Sequence, residues 1–181
     1  PLYQDAAGPE CVFPLNNAEV RFCVVEDQEQ VDKLLEIREQ CPQIAHIFFD
    51  DPRGLRKYDE PGLASLEELL AAGEVFAKQH PDFYLGEVEK AHHDDVGAMF
   101  FTSGTTGNPK GVVHTHHSLI NRAEAGALFD KLTSHEDVLA YLPPAWIGQN
   151  IFSYAQWLYC GYVVNCPESA ATVTIDLKEV G

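Results

Sequence analysis

Gly97-Ala98-Met99-Phe100-Phe101-Thr102-Ser103-Gly104-Thr105-Thr106-Gly107-Asn108-Pro109-Lys110-Gly111 runs an uncharged apolar stretch straight into a loop. The first five residues suit a strand buried on both faces. In the ten that follow, four hydroxyls (Thr102, Ser103, Thr105, Thr106), three glycines and one lysine are packed together. Glycines let backbone N–H groups turn toward a ligand, hydroxyls donate to phosphate oxygens, and a lysine neutralises charge. Together they predict a polyphosphate cradle. A polar turn between two strands is the plainer reading of the same letters. A Walker A loop is excluded, because glycine would stand immediately before the lysine and Ser or Thr after it, where Pro109 and Gly111 stand.

The charge around this loop is uneven. Residues 1–95 hold 21 acids and 8 bases, and residues 124–181 hold 7 acids and 2 bases, whereas residues 96–123 hold no acid, only Lys110 and Arg122. His114, His116 and His117 lie in the same window. An anion site has this composition, and so does a buried strand pair that excludes charge of either sign. The net charge of the 181 residues is -16. A surface that negative repels nucleic acid and anionic lipid, so neither is an expected partner.

Outward from the loop, strands and helices alternate. Arg21–Glu26 reads as a strand, Asp27–Gln40 as a helix stopped by Cys41-Pro42, and Ala45–Phe49 as the next buried strand, which makes a βαβ unit. Ser65-Leu66-Glu67-Glu68 has the form of a capping box opening a helix to about His80, and a short helix is expected over Phe83–Ala91. After the loop, Val112–Thr115 reads as a strand, His117–Leu132 as a helix, and Asp137–Leu142 and Gly161–Asn165 as strands around a helix near Ile151–Cys160. Alternation of this kind predicts an α/β layer structure with a largely parallel sheet and flanking helices. The acidic stretch Asp50–Gly62, with its two prolines and two glycines, is the expected subdomain seam.

The uncharged run Val138–Pro167 is long enough to raise a membrane span of about 20 apolar residues. Pro143, Pro144, Gly148, Gln149, Asn150, Gln156 and Asn165 argue against it. Phe152, Tyr154 and Trp157 are read as packing residues and Trp146 as a candidate wall for an apolar ligand. Five cysteines without a C-x-x-C pair fit reduced cytoplasmic thiols, with Cys160 and Cys166 expected in the core. His92-His93-Asp94-Asp95 has metal-ligand residue types, but four consecutive positions cannot face one point, so a solvated turn is expected and no metal site is assigned. Alternation would place His114 and His116 on one strand face. Proline at position 1 and a sole methionine at position 99 suggest a piece of a longer chain.

Residues Phe101–Val112 resemble, nearly letter for letter, the phosphate-loop signature of the adenylate-forming enzymes, which include acyl- and aryl-CoA synthetases, luciferases and peptide-synthetase adenylation domains. Thr115-His116 looks like the family's Ser/Thr-His pair, and Leu142-Pro143-Pro144-Ala145-Trp146 looks like its Leu-Pro motif. The tail from Gly161 through Asn165, Pro167 and Leu177 to Gly181 resembles the long-chain fatty acid CoA ligase branch in particular. The resemblance implies that residues 1–181 are part of a large N-terminal adenylation domain. It also implies that a carboxylate attacks the α-phosphorus of ATP with Mg2+, pyrophosphate leaves, and coenzyme A takes the acyl group as a thioester. Thr102, Ser103, Thr105 and Thr106 would then hold the β- and γ-phosphates, with Gly104 and Gly107 letting the backbone close on them. Lys110 would offset leaving-group charge and is the candidate catalytic residue, with His116 and Trp146 as candidate acid-binding residues.

Two departures qualify this resemblance. Trp146 stands where many members carry histidine. No aromatic-Gly-x-Thr-Glu segment, ribose-binding Gly-Asp, hinge or C-terminal lysine is found, so the chain by itself is expected to be inactive. An aryl-acid or amino-acid adenylating enzyme and a non-catalytic nucleotide-binding module remain open, as do a homo-oligomer and a peripheral membrane association of the intact enzyme.

Overall fold

The computed structural model describes residues 1–102 and 108–180. It divides into two compact units, one built on Gln4–Ala91 and the other on His92–Thr102 and the residues from Val112 onward.

The first unit opens with helix α1, Gly8–Asn17, which carries Pro14 inside it and turns Cys11, Pro14 and Leu15 inward. Strand β1, Phe22–Val25, follows. Helix α2, Gln28–Glu36, begins where the Asp27 carboxylate accepts the backbone N–H of Gln30 at 3.2 Å, satisfying a donor that the first helical turn leaves unpaired. Strand β2 spans His46–Phe49 and strand β3 Leu63–Ser65. The three strands are parallel in the order β1-β2-β3, with Cys23 opposite Ile47 and Ile47 opposite Leu63. Against them lies a core of Cys11, Leu15, Cys23, Val31, Leu34, Ile37, Cys41, Ile44, Ile47 and Leu55. The βαβ unit expected over residues 21–49 is present. Helix α3, Leu66–Gln79, has the expected capping box: Ser65 Oγ accepts from Glu68 N at 3.1 Å and the Glu68 carboxylate accepts from Ser65 N at 2.8 Å. The bond from Ser65 N, together with one that Ser65 Oγ donates to the same carboxylate at 3.0 Å, favours the ionised carboxyl and holds Glu68 below the usual range. Helix α4 spans Phe83–Lys90.

Residues 50–62, where the sequence suggests a seam, connect β2 to its neighbour β3 inside this unit. Tyr58 donates to Asp32 at 2.6 Å and accepts from Gln28 at 2.9 Å, and the Arg38 guanidinium donates to the carbonyl of Pro61. A boundary between the two units falls at Ala91/His92.

In the second unit, strand β4, Val96–Phe101, pairs with strand β5, Gly111–Thr115. Helix α5 spans His116–Asp130. Strand β6, Asp137–Leu139, lies parallel to strand β7, Val163–Asn165, with Val138 opposite Val164. Between them run helix α6, Ile147–Asn150, a π-helical turn, Ile151–Ala155, and helix α7, Gln156–Cys160. Helix α8 spans Val173–Val180. Among the described residues no helix is long and apolar enough to cross a membrane.

Four expectations are corrected here. Strand β4 is not buried on both faces: Phe100 is buried but Val96 is exposed, because β4 pairs in a sheet of only two strands. His116 does not continue β5; Thr115 accepts from Ser118 N at 3.1 Å and caps α5, so His116 opens the helix. Cys160 is half-buried and Cys166 exposed, since both lie beside the short two-stranded β6/β7 ladder rather than in a core. Phe152, Tyr154 and Trp157 are exposed, whereas the buried residues of that segment are Ser153, Ala155 and Gln156. The physical reason is close approach: a Cβ on Gly126 of α5 would lie 2.5 Å from the Gln156 amide nitrogen. Only small or amide groups fit in that gap, and the rings turn outward.

Gly62 has φ of +79°, and a Cβ there would meet the Ala45 carbonyl oxygen at 2.3 Å. Gly73, on α3, has nothing within 4 Å of the same position. Gly62→Ala is therefore expected to destabilise the chain by about 2 kcal/mol or more. Gly73→Ala is expected to stabilise it by about 0.5–1 kcal/mol. Denaturant titration of both variants measures the contrast, and equal effects would contradict the register of Gly62 against Ala45.

Candidate functional site

The carboxylate-free window falls on the β4–loop–β5 segment. Thr102 follows the last residue of β4 and is exposed; Asn108 and Lys110 are exposed, Pro109 is half-buried, and Lys110 leads directly into Gly111, the first residue of β5. The expected phosphate contacts Ser103, Gly104, Thr105, Thr106 and Gly107 lie outside the described residues. In the sequence, the described ends of the loop carry a hydroxyl, Thr102, and an ammonium, Lys110. This donor set suits an anion. With no carboxylate between residues 96 and 123, a magnesium ion would find oxygen ligands there chiefly on the anion itself.

Histidines cluster at the opposite end of β4. The backbone N–H of His116 donates to the Asp95 carbonyl at 3.1 Å and that of His117 to the His93 carbonyl at 2.8 Å. A Cβ on Gly97 would lie 3.0 Å from His116 Nδ1, so the His116 ring rests against the start of β4. Thr102 is five residues further along an extended strand, roughly 16 Å away at about 3.3 Å per residue. The structure therefore separates His116 from the loop end that carries Thr102. His114 lies on β5, half-buried, with its ring 5.8 Å from that of Phe100 and Nδ1 within 3.5 Å of Ser118 Oγ. His92–Asp95 form an exposed turn in which the Asp95 carboxylate accepts from His92 N at 2.8 Å.

Trp146 stands at the start of α6 with its side chain about half exposed, 51%. Two residues that the sequence reading counted only as helix-breaking amides fix the turn before it. Gln149, buried, accepts from Leu142 N at 3.2 Å, and Asn150 Nδ2 donates to the Pro144 carbonyl at 2.8 Å and the Trp146 carbonyl at 3.0 Å. A buried amide inside an otherwise apolar run was the available signal. One helical turn on, the fully buried Tyr162 donates its hydroxyl to the Phe152 carbonyl of the π-helical turn, and burial pushes that phenol up to about 12. π-Helical turns of this kind recur at functional sites.

A family description, AMP-binding enzyme, matches residues 1–180. Long-chain-fatty-acid–CoA ligase ACSBG2 of Xenopus laevis is 29% identical over 167 residues, which is 89% of this chain and 21% of that protein. The peroxisomal long chain acyl-CoA synthetase 6 of Arabidopsis thaliana is 32% identical over 155 residues, 81% of this chain and 20% of its own length. The chain thus spans about a fifth of the curated relatives it matches. Among solved structures, an anthranilate CoA ligase in complex with anthranoyl-AMP superposes with a TM-score of 0.70 at 18% identity, over 97% of this chain and 32% of the other. A Mycobacterium tuberculosis fatty acyl CoA synthetase gives 0.67 at 21% identity, over 98% and 31%. The fold is that of the acyl-CoA synthetase-like adenylate-forming enzymes.

Four of the cysteines, Cys11, Cys23, Cys41 and Cys160, lack the environment of a nucleophile. Burial raises Cys11 and Cys41, pushes Cys23 up to about 11, and raises Cys160, where the charge of Glu136 adds to the effect. With a disulfide-forming aromatic reagent at pH 8, exposed Cys166 is expected to react first. Cys11, Cys23 and Cys41 are expected to react only as the chain unfolds, and their prompt titration in the native protein would contradict the packing of the first unit.

Proposed function

Because this chain belongs to the AMP-binding enzyme family, we propose that in the full-length enzyme the segment 102–110 holds the β- and γ-phosphates of ATP while a carboxylic acid is activated. A carboxylate oxygen of the acid attacks the α-phosphorus, the bond to the bridging oxygen breaks and pyrophosphate leaves. The thiol of coenzyme A then displaces AMP from the acyl carbon to give the thioester. The names of the curated relatives support a long-chain fatty acid as the substrate class. The observation that carries the reading is the β4–loop–β5 segment itself, with four hydroxyls, three glycines and Lys110 inside a window free of acids in a chain of net charge -16.

In this reading Thr102, Ser103, Thr105 and Thr106 donate to phosphate oxygens, and Gly104 and Gly107 let the backbone approach them. Lys110 neutralises charge that builds on the departing pyrophosphate. A magnesium ion accompanying the phosphates would supply further charge stabilisation beside Lys110 and the hydroxyls of Thr102, Ser103, Thr105 and Thr106. Trp146 and His116 act on the acid side, Trp146 as an apolar wall. The five free thiols fit a reducing cytoplasmic setting.

Replacing Thr105 and Thr106 together by alanine removes two donors to a charged acceptor, each worth about 1.5–3 kcal/mol. Adenylation by the full-length enzyme is then expected to fall on the order of a hundredfold or more. Lys110→Ala should cost less, because a mobile point charge shares its role with magnesium. The thioester half-reaction, started from synthetic acyl-adenylate, should stay near wild type in both variants, since pyrophosphate has already left. Equal damage to the two half-reactions would contradict a phosphate-holding role. The 181-residue chain alone, given ATP and palmitate, should show only background pyrophosphate exchange; acid-dependent exchange would overturn the view that adenine and ribose contacts come from elsewhere.

A further inference from the structure

The turn Leu142–Trp146 contains two successive prolines, which carry no N–H, so its backbone has few donors with which to hold itself. The helix that follows supplies them. The single Nδ2 group of Asn150 spans the carbonyls of Pro144 and Trp146, 2.8 and 3.0 Å away, one on either side of buried Ala145. The neighbouring Gln149 is buried and receives Leu142 N at the start of the turn. Trp146 N closes the turn by donating to the Pro143 carbonyl at 2.9 Å. Beyond Asn150 the π-helical turn Ile151–Ala155 is secured by the hydroxyl of Tyr162 on the Phe152 carbonyl. The backbone that carries Trp146 is therefore fixed from both sides, while its indole stands half exposed.

We propose that Asn150, assisted by Gln149, is a positioning residue for the acid substrate, holding the Leu142–Trp146 turn so that the indole of Trp146 presents a preset apolar surface to the acyl chain. This rests on the reading of Trp146 as an acid-side residue. The chemistry of the surroundings selects the acyl part of the acid rather than its carboxylate: residues 138–167 contain no Lys, Arg, Asp or Glu. An indole on a fixed backbone offers contact area without ordering the turn anew at each binding event. Asn150 touches no reacting atom in this scheme. It acts through Trp146.

Two variants separate positioning from mere structure. Asn150→Leu keeps similar volume without donors; Asn150→Asp keeps the shape and sets a carboxylate against two carbonyl oxygens. In the 181-residue chain, Trp157→Phe leaves Trp146 as the one tryptophan, since the sequence has two. In that background both variants should lower the fluorescence anisotropy of Trp146 with far-UV circular dichroism unchanged; if Asn150→Leu alters the dichroism, Asn150→Asp carries the test. In the full-length enzyme, KM for a long-chain acid should rise about tenfold with loss of the two bonds, KM for ATP should stay within about twofold, and the effect should shrink as the acid is shortened to acetate. Unchanged anisotropy in both variants overturns the proposal. So does a rise in KM that is equal for acetate and long-chain acid, which would mark a general structural role. Trp146→Ala distinguishes failure of the underlying reading: if it leaves KM for the long acid unchanged, Trp146 is not an acid-side residue and the proposal falls with it. If Trp146→Ala raises that KM and the Asn150 variants do not, only the positioning role is lost.

Discussion

A chain of net charge -16 can gather phosphate only where its carboxylates stand back. Residues 96–123 meet that condition along the chain, and the paired strands β4 and β5 both fall inside that window. The acids resume immediately on either side, at Asp94 and Asp95 before the window and at Glu124 after it. The two flanking acids are engaged in structure: Asp95 accepts from His92 N, and Glu124 accepts the hydroxyl of Tyr159 at 3.1 Å, which raises that phenol above its ordinary range. Both of these bonds lie outside the loop.

A second constraint governs the apolar half of the site. Because Gly126 approaches the amide of Gln156 so closely, the segment following the Leu-Pro turn buries small and amide side chains and turns its rings outward. The polar atoms so buried must be paired. Gln149 answers by accepting from the backbone of the preceding turn, to which half-buried Asn150 also donates, and Tyr162 by bonding the π-helical carbonyl. Packing between helices thus sets the geometry of the Leu142–Trp146 turn.

Much of the fold is legible in the letters, and the exceptions have physical causes. Asp27 and Ser65 announce α2 and α3 because capping is a local interaction between residues three apart. The parallel β1/β2 pair follows from two short apolar runs separated by a helix. Helix α1 escapes notice because Gly8, Pro9 and Pro14 read as breakers, although the core contacts of Cys11 and Leu15 outweigh them. Strand β3 has only Leu63, Ala64 and Ser65, too few for any period to show, and exists by pairing with β2. Helix α8 begins Val-Thr-Ile, residues that favour strands, and contacts with β6 decide otherwise. Of the candidate site, the crowding of glycine, hydroxyl and lysine into ten residues is visible in the letters, whereas the bonds of Asn150 depend on carbonyls brought back to it by a turn.

The central claim is that the segment between β4 and β5 is where ATP phosphates are held. Amide hydrogen exchange of the full-length enzyme, with and without magnesium and ATP and read by peptide, addresses it directly. Protection should concentrate in the peptide covering residues 97–112 and persist when magnesium tripolyphosphate replaces ATP. If that peptide exchanges at the same rate in all three conditions while others become protected, the phosphates are held elsewhere and the account fails.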